Sequence, residues 1–368
     1  TVAILAQVVG RVLPQPLQPP AIGAGAMRRR SRLPVIVVPC LLLVSACSRW
    51  ARGAAWTGAS YSLRSHAART RSAGASPHQL RGRTRQSAST AQDSPSLKFD
   101  EGDLDRFAPP KARWRGSGVI AVARAVSLAA LLYGLSVLFV PAILVALPIV
   151  KRWDPDQRKL TDRIIEIWCK CLTWPFFKTR VYGRENLPPT SQAVVFVANH
   201  QSFMDILSSF HLSHPFKYVS KVEILKIPAV GFAMKATKTL TIKRDDRRSQ
   251  MQAFRECVDA LKHGTSIFVF PEGTRSRDGR LIEFKKGPFA MAKRGKTPIV
   301  PITINGTGRV MPSKREYLLY PSRPGVQIIV HPMITAEEVQ ESSDQELIQR
   351  VRGTIESAMP HSLRTAAD

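Results

Sequence analysis

The sequence predicts an α/β domain with a central, mostly parallel or mixed sheet flanked by helices, set behind an N-terminal membrane-anchoring helical segment. Three observations carry that expectation. From about residue 181 onward, short apolar runs alternate with helical patterns, as in a sheet with crossover helices. Residues 125–150, "AVSLAALLYGLSVLFVPAILVALPIV", contain no charge in 26 residues. Residues 1–92 contain thirteen Arg and no Asp or Glu, while the rest of the 368-residue chain carries +14 of the net +27.

The acid-free start reads as targeting sequence. The chain opens with Thr1 and its first methionine is Met27, so residues 1–26 are read as an untranslated or disordered leader. Residues 27–47 have the layout of a secretory signal peptide. Arg28, Arg29, Arg30 and Arg32 precede an apolar run from Leu33 to Val44, and the small residues Ser45 and Ala46 follow. Residues 48–95, rich in Ser, Ala, Thr and Arg, resemble a transit peptide. This order fits import into a plastid (chloroplast) bounded by extra membranes. The endoplasmic reticulum membrane, or a plain disordered basic arm, is the alternative.

Residues 96–118 carry Pro, Asp and Gly and read as a linker. Residues 119–180 read as the anchoring region. The uncharged run is long enough to cross a hydrocarbon core of about 30 Å. Pro141 and Pro148 leave open a broken or re-entrant hairpin in one leaflet, and a buried soluble helix is the third reading. After it, Ile164, Ile165, Ile167, Trp168, Leu172 and Trp174 among basic residues suggest an amphipathic helix at the membrane surface.

The α/β domain is expected over 181–335. "AVVFVAN" (193–199), "LTIKR" (240–244), "SIFVF" (266–270), "TPIVPITIN" (297–305) and "VQIIVHP" (326–332) read as strands. "MDILSSFHL" (204–212), "SQMQAFRECVDALKHG" (249–264) and "FAMAKRG" (289–295) read as helices. Pro301 confines its strand to an edge or an irregular position. The tail, 336–368, reads as one or two amphipathic helices.

A basic chain suits an anionic partner: nucleic acid, phospholipid headgroups or a phosphorylated substrate. The long apolar run disfavours nucleic acid. Cys40, Cys47, Cys169, Cys171 and Cys257 are odd in number and poorly spaced for disulfides or zinc. There is no G-x-S-x-G elbow and no H-E-x-x-H, and "GKT" at 295–297 lacks the leading glycine of a P-loop.

"VANHQSFMD" (197–205) puts His200 just past a strand and Asp205 five residues on. A histidine can take a proton near neutral pH, and a carboxylate on its other nitrogen fixes the tautomer. Alone, this spacing is weak. "FPEGTRS" (270–276) strengthens it, because Pro271 and Gly273 make a tight turn at the carboxyl end of a strand, where open α/β sheets bind ligands. Arg275 can grip a phosphate bidentately, Gly273 and its neighbours offer backbone N–H groups, and Glu272 is expected to orient the arginine or the turn. Arg244, directly after a strand, offers a second phosphate ligand. Lys285 and Lys286 stand at a helix start, another place suited to anions.

In order along the chain, these blocks resemble those of the glycerolipid acyltransferases, in particular the 1-acyl-sn-glycerol-3-phosphate (lysophosphatidate) acyltransferases of plastid and bacterial type. The run from "KRDDRRSQ" through "FPEGTRSRDGRLIEFKKGPFAMA" to "VPITINGTGRVMP" carries the likeness, which covers roughly 120–335. The resemblance implies the glycerolipid acyltransferase fold and a catalytic pair, His200 and Asp205. It implies acceptor-binding blocks that hold Arg244, Glu272, Gly273, Thr274 and Arg275, with Pro301 in the last block. No metal or prosthetic group is implied. The expected partners are the bilayer, lysophosphatidic acid and a thioester donor, acyl-CoA or acyl-acyl carrier protein. The product would be phosphatidic acid. Glycerol-3-phosphate sn-1 acylation, another lysophospholipid acceptor, and a non-catalytic lipid-surface protein remain as alternatives.

Overall fold

A computed structural model of the chain describes residues 101–109, 118–243 and 245–364. The expected leader, signal peptide and transit segment, and Arg244, lie outside the described residues.

The core is one seven-stranded sheet of order β1-β7-β6-β2-β5-β3-β4. Its strands are β1 (Thr179–Tyr182), β2 (Val195–Ala198), β3 (Lys217–Lys221), β4 (Leu240–Ile242), β5 (Ile267–Val269), β6 (Ile299–Asn305) and β7 (Val326–Val330). All neighbours pair in parallel except β6 and β7. The expected mixed, mostly parallel sheet is therefore present. The central strands are apolar on both faces because helices cover both. Phe196 and Ala198 face one core with Phe268, Met204 and Leu212. Their chain neighbours Val195 and Val197 face a second core with Ile267, Phe289, Leu261 and Val351.

The uncharged run forms α1 (Gly118–Trp153), a single helix of 36 residues that continues through Pro141 and Pro148. That removes the broken-hairpin reading. Such a helix is about 54 Å long at 1.5 Å per residue, long and apolar enough to cross a membrane by length and composition. Yet one side of it is covered by protein along almost its whole length. Ala125 and Leu128 pack into the first sheet core. Phe139, Ala142, Ile143 and Ala146 pack with α2 (Lys159–Thr173) and α4 (Val230–Ala236). The apolar face of α2, with Ile164, Ile167 and Trp168, is buried in that same cluster. This corrects the surface-lying reading of that segment; only Leu160 and Trp174 present large exposed apolar groups there.

The remaining helices are α3 (Met204–Ser209), α5 (Arg247–Lys262), α6 (Gly287–Gly295), α7 (Thr307–Val310), α8 (Ala336–Glu341) and α9 (Asp344–Ser357). Both α8 and α9 begin with a complete capping box, Thr335 with Glu338 and Ser343 with Glu346. They pack onto the second core through Val339, Leu347, Val351 and Ile355, so the expected tail belongs to the domain. The segment read as a linker also docks. Leu104 and Phe107 are buried, Asp105 accepts from the backbone N–H of Ser362 at 3.0 Å, and Arg309 donates to the carbonyl of Arg106 at 3.2 Å.

Pro301 departs from the edge-strand expectation. It is buried in β6, between β2 and β7. The antiparallel ladder to β7 starts at Ile302, one residue later, and the Pro301 carbonyl accepts from His331 at 3.0 Å. The sheet tolerates the missing donor because the irregular start of that ladder falls at the proline.

Candidate active site

Two adjacent strands build the site. β2 and β5 run parallel, with Val195 opposite Ile267 and Val197 opposite Val269. Their outgoing loops therefore emerge side by side at the carboxyl end of the sheet. β2 leads past β5 to β3, and β5 leads back past β2 to β6. The connections leave on opposite faces, which opens a crevice at that point.

In the β2 loop, His200 Nδ1–H donates to Asp205 Oδ2 at 2.7 Å. The same oxygen accepts the backbone N–H groups of Gln201 and Ser202 at 2.7 and 2.8 Å. Asp205 is fully buried. An oxygen that receives two backbone donors acts as an acceptor toward the ring as well, so the ring proton sits on Nδ1 and Nε2 is left to take one up. The imidazole stacks on Phe270, centroids 4.0 Å apart and planes 12° apart.

The neighbours of His200 tie its loop down. Asn199 extends the β6 ladder, donating to the Ile304 carbonyl at 2.9 Å and accepting its N–H at 2.7 Å. Ser202 Oγ donates to the Met311 carbonyl at 2.7 Å. Gln201 donates to the Gly279 carbonyl at 3.2 Å.

The β5 loop turns where Pro271 and Gly273 predict. Gly273 N–H donates to the Phe270 carbonyl at 3.0 Å, and Gly273 stands at φ +68°, a conformation that favours glycine. That hydrogen bond takes the N–H expected to face an anion. Of its two expected roles, Glu272 takes the turn and not Arg275. It is 2% exposed, and its two oxygens accept from the backbone N–H of His200 at 2.7 Å and of Ile282 at 3.1 Å. Burial pushes its carboxyl up to about 8, against the pull of those two hydrogen bonds.

Arg275 pairs with Glu316, Nη1 to Oε1 at 2.6 Å, and its side chain stays 33% exposed. Lys285 lies over the turn: a Cβ added at Gly273 would stand 2.9 Å from its Nζ. Lys286 is the N-cap residue of α6. Thr274, Lys285 and Lys286 are all exposed.

This geometry has close relatives. An acyltransferase family model matches residues 178–305, which run from β1 to the end of β6. A 1-acyl-sn-glycerol-3-phosphate acyltransferase of Chlamydomonas reinhardtii is 40% identical over 245 residues, 67% of this chain and 72% of that protein. The chain belongs to the 1-acyl-sn-glycerol-3-phosphate acyltransferase family. A chloroplastic family member of Arabidopsis thaliana is 41% identical over 202 residues, 55% of this chain and 56% of that protein. The crystal structure of the 1-acyl-sn-glycerophosphate (LPA) acyltransferase PlsC from Thermotoga maritima matches with 28% identity and a TM-score of 0.55, over 67% of this chain and 99% of that one. The seven-stranded α/β fold is thus that of the family, and the protein is an acyltransferase.

Among the residues expected from the family's blocks, His200, Asp205, Gly273, Arg275 and Lys285 belong to the two loops at this crevice, and Glu272 is buried beneath them, tying the loops together. Thr274 and Lys286 lie beside the crevice. Pro301 does not line the mouth; it sits one level down in the sheet, opposite Val197. Two residues of this candidate site have no role expected from the sequence. Phe270 ends the apolar run "SIFVF", where an aromatic reads as core. Glu316 lies 41 residues beyond Arg275, in a loop without a motif.

Proposed function

We propose that the protein moves a fatty acyl group from a thioester donor to the sn-2 hydroxyl of 1-acyl-sn-glycerol 3-phosphate, giving phosphatidic acid at a membrane. The observation that carries this reading is the juxtaposition of the His200–Asp205 pair with Arg275 across two adjacent strand ends. His200 Nε2 takes the hydroxyl proton as the oxygen attacks the thioester carbonyl. Asp205 holds the ring and stabilises the imidazolium. The C–S bond breaks, and the thiol of coenzyme A or of a carrier protein leaves with the proton His200 returns. Arg275 and the nearby Lys285 supply positive charge for the acceptor's phosphomonoester. No metal or prosthetic group takes part in this scheme.

Membrane attachment runs through α1. Its inner face belongs to two protein cores, while Val119, Ile120, Val122, Val126, Tyr133, Val137, Leu144, Val145 and Ile149 are exposed on its outer side. A helix covered by protein on one side along its length lies best in the plane of one leaflet, with its outer stripe in lipid. We place that membrane in the plastid, on the strength of the chloroplastic relatives and the acid-free N-terminal segment.

The deciding assay uses isolated membranes that carry the protein. It offers lysophosphatidate, glycerol 3-phosphate and lysophosphatidylcholine with acyl-CoA and with acyl-acyl carrier protein. Phosphatidic acid formed from lysophosphatidate at the highest kcat/KM supports the proposal, and a preference for either other acceptor overturns it. A reporter fused to residues 27–95 should reach the plastid; a cytosolic reporter removes that placement.

A further inference from the structure

Glu316 belongs to none of the recognisable blocks, yet it is in contact with Arg275. Its Oε1 accepts Arg275 Nη1 at 2.6 Å and the backbone N–H of Lys314 at 3.2 Å. Lys314 stands at φ +64°, a left-handed conformation that non-glycine residues seldom adopt. The carboxylate thus braces a tight turn and the guanidinium with one oxygen. Glu316 itself is buried, at 7% exposure, while Arg275 keeps one side open. Burial would raise the Glu316 carboxyl, but backbone hydrogen bonding and the charge of Arg275 hold it below the usual carboxylate range. It is therefore ionised at neutral pH and attractive to the arginine.

A guanidinium has five N–H donors in a rigid fork. Glu316 engages one end and leaves donors for a ligand. An exposed arginine without such a brace samples many rotamers and must lose that freedom when a phosphate binds. We propose that Glu316 is a positioning residue for acceptor binding: it holds the Arg275 fork from the buried side, so that a phosphomonoester meets a preorganised partner. The proposal rests on the reading of Arg275 as a phosphate ligand.

A double-mutant cycle tests it, with 1-oleoyl lysophosphatidate and 1-oleoylglycerol as acceptors. Glu316→Ala should raise KM for lysophosphatidate about five- to tenfold with kcat within about twofold, and Glu316→Asp should recover part of the loss. In an Arg275→Ala background the same change should alter kcat/KM by less than about twofold. An equal loss in both backgrounds overturns the proposal, because Glu316 would then act on the fold and not through Arg275. A lower KM in Glu316→Ala also overturns it, since the carboxylate would then compete with the phosphate. Should Glu316→Ala fail to fold, Glu316→Gln runs the same cycle with an expected factor of about two to three, and a wild-type KM in that variant counts against the proposal. The phosphate reading is judged separately. If Arg275→Ala weakens both acceptors equally, that reading fails, while the cycle still reports whether Glu316 works through Arg275.

Discussion

The buried carboxylate of Glu272 accepts the backbone N–H of His200 at 2.7 Å. The backbone carbonyl of His200 in turn accepts the N–H of Ser276 at 2.8 Å. Both polar backbone groups of the histidine are therefore held by the loop that carries Arg275. The two sequence blocks form one hydrogen-bonded unit, so the loops that carry His200 and Arg275 are held in fixed register. This is the kind of placement that acyl transfer between two bound substrates needs, because small errors in position cost large factors in rate.

Replacing Glu272 should therefore damage stability as well as activity. Glu272→Ala leaves two N–H groups without their acceptor, at about 1–3 kcal/mol each. The carboxyl is raised to about 8 in the fold, against about 4.3 when exposed. Between these values the folded protein holds a proton that the unfolded chain has released, so this contribution to stability falls as pH rises through that window. Glu272→Gln cannot titrate and should lack this part of the slope. Chemical unfolding of both proteins at about pH 5.5 and 8 gives the comparison. The difference between them cancels other displaced groups such as Asp162, His211 and His331. Parallel pH profiles would show that Glu272 is ionised throughout.

His200→Ala should abolish transfer while the protein stays folded in the membrane. General-base loss costs about 10²–10⁴ in rate, and loss of hydroxyl orientation adds to it. Asp205→Asn should be nearly as severe, because it disturbs the tautomer and two backbone N–H bonds together. Initial rates of phosphatidic acid formation, normalised to protein in the membrane fraction, check this. Near-normal turnover in either variant removes the mechanism.

Five of the seven strands and the His200–Asp205 pair are legible in the sequence because their signals are local; β1 (TRVY) and β3 (KYVSK) are not, since their short runs mix charged and apolar residues. Apolar runs such as "AVVFVA" need no partner to be recognised, and a five-residue spacing brings the pair together within one loop. What was misread depends on burial or on distant contacts. Glu272 reads as a charge that orients Arg275 or the turn, and nothing local says that the N–H groups of His200, from the β2 loop, and of Ile282, farther along its own loop, converge on it. Glu316 reaches Arg275 only because the chain folds back after β6. The uncharged run of α1 has no polar stripe, so the side that meets protein and the exposed side look alike. Pro301 takes the irregular position that its ring allows, not the edge, because the ladder on its open side starts one residue later.

Phe270 should matter through the ring it supports. Stacked at 4.0 Å on His200, it limits imidazole rotation and shields one face from water. Such an aromatic contact is worth about 0.5–1.5 kcal/mol beyond area burial, which corresponds to about two- to twelvefold in rate. Phe270→Leu should lower kcat by that factor with little change in KM for lysophosphatidate. A rise confined to KM would instead place Phe270 in substrate binding.

The two sides of α1 should respond oppositely to charge. Val126 and Val137 are 54% and 72% exposed, on the side assigned to lipid. Burying each such side chain contributes about 1.5–3 kcal/mol, and an aspartate there carries a further desolvation penalty. Val126→Asp with Val137→Asp should weaken membrane partition by at least about a hundredfold by that reckoning, yet leave the fold intact. Ile143 is fully buried against Trp168 and its neighbours. Ile143→Asp should unfold or misfold the protein whether or not lipid is present, since an unpaired charge would enter a closed core. Flotation with vesicles of phosphatidylglycerol and phosphatidylcholine measures partition, and circular dichroism of the same samples measures folding. Full membrane retention of the folded double variant would mean that the outer stripe of α1 is not what meets the lipid.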